Sequence, residues 1–224
     1  MKALFQKRWF LILLCAVVVC GSLLVNTRVG LGREAGKVTA KIYAEKPVKS
    51  AAAVLSTVRS GVSALGAIAD QSEIDSALQE IDQALALLGS DTNLSTQLSA
   101  YCEALDVPVA LAKLNGLDAA EAESAIRELE SALSARADAQ TLQHCYSEAQ
   151  KAGDSLLTAL GSAELSESQR ERVTECGELL QRLRRDIAGS AYNQAVYDFM
   201  IRNAGGWTRL CANLAGVQYP ALIG

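Results

Sequence analysis

The residues best suited to nucleophilic or metal chemistry in this chain are one histidine and six cysteines. His144 is followed directly by Cys145, and an imidazole beside a thiol is the pair from which a cysteine nucleophile is built. Neighbouring residues on a helix point about 100° apart, so this spacing does not bring the two groups together. The cysteines also lack the close C-x-x-C spacing of zinc ligands. We therefore predict no catalytic residue and no metal site.

The cysteines divide into two groups by their surroundings. Cys15 and Cys20 lie in an apolar, uncharged run near the N-terminus, where they behave as small apolar residues. Four more are widely spaced along the rest of the chain: Cys102, Cys145, Cys176 and Cys211. Outside the cell these four could pair in three ways, and the sequence does not choose among them. We expect separate packing thiols, with Cys176 buried on the apolar face of its helix.

Other patterns that carry chemistry are missing from the sequence. It contains no phosphate-binding P-loop, no dinucleotide fingerprint and no nucleophile elbow, so we predict no cofactor. Acidic pairs such as Glu121 and Glu123 point away from each other on a helix. The net charge is −4, and no basic stripe is interleaved with aromatic residues, which argues against a nucleic-acid partner. The basic cluster of Arg182, Arg184 and Arg185 is interpreted as a solvated helix face.

The N-terminus has the sequence of a membrane anchor. Residues 1–8 form a short tail with three basic side chains, and Trp9 to Val25 then carry no charge. The uncharged run extends to Thr27, and its nineteen residues would span roughly 28 Å as a helix, close to the thickness of a bilayer core. No small-x-small cleavage site follows it. We predict an uncleaved transmembrane helix over 9–27, with the N-terminus in the cytoplasm and the bulk of the chain outside.

The rest of the chain predicts an all-α fold. Residues 28–47 are predicted to be a juxtamembrane linker, because Gly30, Gly32 and Gly36 weaken a helix and Pro47 ends or kinks one. From there to residue 206, apolar residues recur at steps of three and four, for example from Val54 to Ile68 and from Ile74 to Leu88. This pattern predicts an antiparallel bundle of four to five helices, in which frequent Ala and Gly allow close packing.

The last predicted helix has the clearest boundaries. Ser166 with Gln169, or Ser168 with Glu171, offers a capping box at its start. An apolar stripe follows and is predicted to continue without a break to Gly205 and Gly206, leaving 207–224 as a C-terminal tail. Its members are Val173, Cys176, Leu180, Leu183, Ile187, Tyr192, Val196 and Phe199. The single face predicts that the aromatic residues are structural core.

The segment "YNQAVYDF" resembles the C-terminal signature of LemA-type bacterial membrane proteins. The matching positions are Tyr192, Asn193, Val196 and Phe199, and Trp207 stands where the family has the Phe of a Phe-Pro turn. Met200 occupies the position of a second Asn. The resemblance implies one N-terminal membrane helix and an extracytoplasmic helical bundle. It carries over no catalytic residues, and the matched positions are implied to be structural.

These patterns predict a membrane-anchored, non-enzymatic protein of the cell envelope. Its partners would be the lipid bilayer and a protein of the envelope, with the bundle acting as a scaffold or a partner-binding module. The alternative is a ligand sensor outside the membrane. Because only about eight residues precede the anchor, a sensor would have to signal through a partner membrane protein. An enzyme is the third possibility, which convergent acids or thiols in a pocket would favour.

Overall fold

The computed structural model describes residues 2–43 and 93–224, with side chains from Val17 onward in the first range. Every regular element in these ranges is helical, which confirms the predicted all-α class. In chain order they are α1 (Lys2–Thr39), a single 3₁₀ turn (Ala40–Ile42), α2 (Leu94–Leu114), α3 (Ala120–Ser134), α4 (Ala139–Ser162), α5 (Glu167–Ala188), α6 (Ala191–Arg202) and α7 (Gly206–Leu214). The helices predicted from Val54 to Ile68 and from Ile74 to Leu88 lie outside the described residues, as does Pro47.

The chain divides into two compact units. The first unit comprises Met1–Val38 and Val196–Pro220, and the second comprises Thr39–Ala195 and Ala221–Gly224. In the second unit α2 packs against α3, α4 and α5, and α3 and α5 each pack against α4. The connections 115–119, 135–138 and 163–166 are short, as in a bundle whose consecutive helices reverse direction. A helical bundle is therefore confirmed.

The core of the second unit is built from leucine, alanine and tyrosine. α2 supplies Leu98, Tyr101 and Leu105, which are fully buried. On α5 the predicted apolar stripe is buried from Cys176 to Ile187, while Val173 is half-buried. Cys176 is 3% exposed, so its predicted burial is confirmed.

Side-chain caps explain where the bundle helices begin. The side-chain Oδ1 of Asn93 accepts the Thr96 N–H, and the Asp138 carboxylate accepts the N–H groups of Gln140 and Thr141. The predicted capping box of Ser166 and Gln169 is present at the start of α5. Each of these groups satisfies backbone donors that have no partner within the helix.

Residues that weaken a helix do not interrupt two of the helices. α2 passes through Pro108 without a break and ends only at Leu114. α1 likewise continues through Gly30, Gly32 and Gly36 to Thr39, so the predicted linker at 28–47 begins inside a helix. Along the same helix, α1 carries a stripe of less exposed residues: Leu24, Thr27, Leu31, Ala35 and Val38. Packing along this stripe outweighs the helix propensity that each glycine loses, about 1 kcal/mol.

One predicted continuity is wrong. The last helix does not run unbroken to Gly205, because α5 ends at Ala188 and α6 begins at Ala191. The N–H groups of Gly189 and Ser190 bond back to the carbonyls of Arg185 and Ile187, which closes the last turn of α5. The predicted tail at 207–224 also differs, since it contains α7. The apolar stripe is therefore shared between two helices.

The predicted membrane anchor at 9–27 lies within α1, but the side chains of its residues 9–16 are outside the described part, which includes side chains only from Val17 onward. Within the part that the structure describes, no helix is both long enough and apolar enough to span a membrane.

Gly153 tests the packing of α4 on α2. A Cβ placed at Gly153 would lie 2.6 Å from Cδ2 of Leu105, which is fully buried. Gly153→Ala should therefore lower the free energy of unfolding by about 1–2 kcal/mol, because overpacking exceeds the gain in helix propensity. Denaturant unfolding of the full chain in detergent solution measures this change.

Gly177→Ala on α5 is the matched control. A Cβ at Gly177 meets nothing within 4 Å, so this substitution should stabilise the fold by about 0.5–1 kcal/mol. Equal stabilisation by both substitutions would mean that α4 does not approach α2 at Gly153.

Candidate functional surface

The amide of Asn193 ties the end of α5 to the C-terminal residues. Asn193 is 2% exposed, and its Nδ2 donates to the carbonyl oxygens of Ile187 at 2.8 Å, Ala188 at 3.3 Å and Ile223 at 2.6 Å. Its Oδ1 accepts the N–H of Ile223 at 2.9 Å. Its partners are therefore the last turn of the preceding helix and the C-terminal tail.

Tyr192 supports the same attachment. Its hydroxyl donates to the carbonyl oxygen of Ala221 at 2.7 Å, and burial raises the pKa of Tyr192 to about 12. Ile223 is fully buried, and the N–H of Gly224 donates to Oε1 of Gln143 at 3.1 Å. We call Tyr192, Asn193 and residues 221–224 the C-terminal clasp. Its polar groups bond to the chain itself and do not converge on an open cavity.

The remaining signature residues lie in the first unit and have opposite environments. Val196 and Phe199 are buried, and the Phe199 ring meets Tyr219 edge-on with centroids 5.3 Å apart. Trp207, in contrast, is 72% exposed. The structure therefore does not place Trp207 in a core with the other four signature residues.

Trp207 belongs to an exposed apolar surface that the sequence analysis missed. On α7, Trp207, Leu210 and Leu214 lie at i, i+3 and i+7, which is one face of a helix. Two residues of α6, Tyr197 and Ile201, lie at i and i+4. All five are 50–73% exposed. We call these five residues the apolar face. The helical spacing of Trp207, Leu210 and Leu214 would have indicated it, but these residues lie in a segment that was predicted to be a tail.

A second group of exposed apolar side chains lies on α1. Val17, Val18, Val19, Leu23 and Val25 are each more than half exposed. The hydroxyl of Thr27 donates to the carbonyl oxygen of Leu23 at 2.8 Å, so this polar group is satisfied within the helix. The described part of the predicted anchor thus presents apolar side chains outward.

The basic cluster on α5 was partly misinterpreted. Arg184 does not lie on a solvated face, because its guanidinium donates to the Tyr101 hydroxyl at 3.0 Å and to Asp154 at 2.7 Å. These bonds connect α5 with α2 and α4. Burial raises the pKa of Tyr101 to about 12 although the nearby Arg184 charge opposes the rise. Arg184 therefore holds helices together, and its spacing in a charged helix gave no sign of this.

His144 and Cys145 lie in different environments. His144 is exposed, while Cys145 is half-buried and lines an open cleft of about 520 Å³. Burial and the charge of Glu128 raise the pKa of the Cys145 thiol, which reduces its nucleophilic form at neutral pH. Among the described residues, no group of three or more His, Cys, Asp or Glu side chains could hold a metal ion.

No protein-family model, curated protein or solved structure matches this chain. The resemblance to LemA-type proteins therefore rests on the residues named above.

The C-terminal clasp predicts a large effect of Asn193→Ala. The substitution leaves the buried N–H and carbonyl of Ile223 without their partner and removes a bond to Ile187, which should cost about 1–3 kcal/mol of unfolding free energy. Denaturant unfolding measures it. Gln194→Ala is the control, since Gln194 is exposed and makes one side-chain bond, to the carbonyl of Gly189.

A double-mutant cycle identifies the clasp as the cause. Removing residues 221–224 from the Asn193→Ala chain should cost much less than removing them from the unsubstituted chain, because the shared bonds are already lost. Additive costs would show that Asn193 and the tail act independently.

Thiol reactivity should follow burial. Burial raises the pKa of Cys176 to about 12, so almost no thiolate forms there at neutral pH, and its side chain is shielded. A brief pulse of maleimide followed by peptide mass spectrometry should label Cys145 well before Cys176. Unfolding in denaturant should make the two rates similar. Equal labelling in the native protein would contradict the packing of α5.

Proposed function

We propose that this chain is a membrane-anchored, non-enzymatic protein of the cell envelope, similar to LemA-type proteins. Residues 9–27 form the anchor, residues 1–8 stay in the cytoplasm, and the helical bundle outside serves as a scaffold or partner-binding module. The observation that carries this proposal is the outward exposure of the apolar side chains from Val17 to Val25 on an uninterrupted helix.

The length of α1 and the distribution of its exposed side chains support this proposal. Its 38 residues extend about 57 Å, more than a bilayer core requires. The side chains of Val17, Val18 and Val19 point in three directions around the helix and are all exposed, so the apolar surface there surrounds the axis. Farther along, Ala35 and Val38 are buried on one side only. Apolar surface on all sides suits acyl chains, and a one-sided stripe suits contact with protein.

The roles of the polar side chains in the bundle support a scaffold. Arg184 bridges three helices, and Asn193 holds the C-terminal tail. These groups strengthen the packing of the bundle, whereas a catalytic site presents its polar groups to a substrate.

An open cleft in the second unit favours ligand sensing as the second candidate function. The cleft encloses about 340 Å³ and is lined by the side chains of Tyr43, Arg136, Ser95, Thr96, Ser99 and Ser134, among others. The guanidinium of Arg136 lies 5.9 Å from the centre of the Tyr43 ring. A small polar ligand would suit this lining, and its signal would pass through a partner membrane protein.

Resistance to alkaline washing tests the anchor. The full chain should stay in the membrane fraction, and Val17→Lys with Val18→Lys should release it, because each charge near the centre of a membrane helix costs about 2.5–3.5 kcal/mol. Both valines are about 60% exposed, so these substitutions remove little protein packing.

Glu34→Lys is the matched control on the same helix. Glu34 is exposed and lies beyond the uncharged run, so its substitution should leave the chain in the membrane fraction. Release of the unsubstituted chain by the alkaline wash would contradict the proposed anchor.

A further inference from the structure

We propose that α7 is a second membrane contact, which lies along the bilayer surface with Trp207, Leu210 and Leu214 among the acyl chains. This inference rests on the proposed function and adds to it. It assigns the apolar face to lipid and not to a protein partner.

α7 exposes large apolar side chains that a helix in a water-soluble protein would bury. Such a helix buries its apolar side chains and exposes its polar ones. On α7 the small residue Ala212 is fully buried, while Trp207 and Leu214 are 72% and 68% exposed. Ala212 lies far around the helix from the Trp207–Leu214 side. α7 therefore attaches to the protein through a small residue and presents its large apolar residues outward.

The distribution of exposed apolar residues indicates what covers this face. Among the described residues, every exposed large apolar side chain except Leu114 belongs to the first unit. This unit contains α1, which carries the proposed anchor, together with residues 196–220. One apolar environment that serves both segments accounts for the whole distribution. A bilayer is such an environment.

The residue types on α6 and α7 are those of a membrane interface. Trp207 and Tyr197 have amphipathic rings, which are favoured at the level of the lipid headgroups. The only charged residue of α7 is Arg209, and Arg202 lies in the last turn of α6. Both arginines are exposed and can contact anionic headgroups. α7 contains no acidic residue that such headgroups would repel.

Fluorescence of Trp207 in the full chain tests this proposal. Trp9→Phe leaves Trp207 as the one tryptophan. The chain is reconstituted in vesicles of phosphatidylcholine and phosphatidylglycerol, with nitroxides placed on the lipids either near the headgroup or near the end of the acyl chain. An interfacial helix lies about 5–10 Å into the headgroup boundary. Trp207 should therefore lose most of its emission to the shallow nitroxide, lose little to the deep one, and be shielded from aqueous iodide.

Three other outcomes would overturn the proposal, and they can be told apart. A chain that floats with the vesicles but has Trp207 open to iodide retains its anchor and refutes only the position of α7. A chain that fails to float refutes the anchor as well. Shielding from iodide and from both nitroxides would show that protein covers the face, and dependence of this shielding on the protein-to-lipid ratio would identify a second copy.

A pair of adjacent substitutions separates lipid contact from folding. Leu214→Glu should expose Trp207 to iodide and abolish its quenching by the shallow nitroxide, while the chain still floats through α1. Asn213→Glu adds the same charge at an exposed position about 90° around α7 from the middle of the Trp207–Leu214 side and should change neither signal. Equal effects of the two substitutions would overturn the assignment of this face to lipid.

Discussion

The carbonyl groups at the end of α5 impose the constraint on which the C-terminal part of the fold depends. A helix leaves its last carbonyls without intrahelical donors, and buried ones must find partners elsewhere. The N–H groups of Gly189 and Ser190 close the turn, and the amide of Asn193 adds bonds to Ile187 and Ala188. The same amide also bonds to Ile223, so one side chain both completes the end of α5 and holds the C-terminal tail.

The sequence predicts the helical class and several local features well, because these depend on residues close together in the chain. The capping box of Ser166 and Gln169 and the burial of Cys176 are examples. The sequence does not predict features that depend on contacts between residues far apart in the chain. The break at Gly189 depends on Asn193 and the tail, and the inter-helix role of Arg184 depends on Tyr101, far earlier in the chain. The glycines of α1 predicted a linker because the sequence shows their low helix propensity, whereas it does not show the packing of that helix.

The apolar face, too, could be predicted from the sequence only in part. The exposed face of α7 has a helical spacing that the sequence contains, yet the spacing alone does not say whether the face is buried or exposed. Periodicity identifies a face, and only the burial of Ala212 shows that the opposite side meets the protein. With Arg184 and Asn193 engaged inside the bundle, the large unpartnered surfaces of the described chain are apolar and lie in the first unit. This distribution directs attention to the membrane and away from a polar pocket.

The positions of the first unit's two segments in the sequence also determine when this unit can finish folding. Its two segments, Met1–Val38 and Val196–Pro220, lie at opposite ends of the sequence, with most of the second unit between them. During synthesis α1 emerges from the ribosome before residues 39–195, and residues 196–220 emerge only after them. A chain that stops before Val196 contains α1 but lacks the second segment of its unit. The first unit therefore cannot be complete until residues 196–220 have been translated, whereas helices α2 to α5 of the second unit all precede them in the sequence.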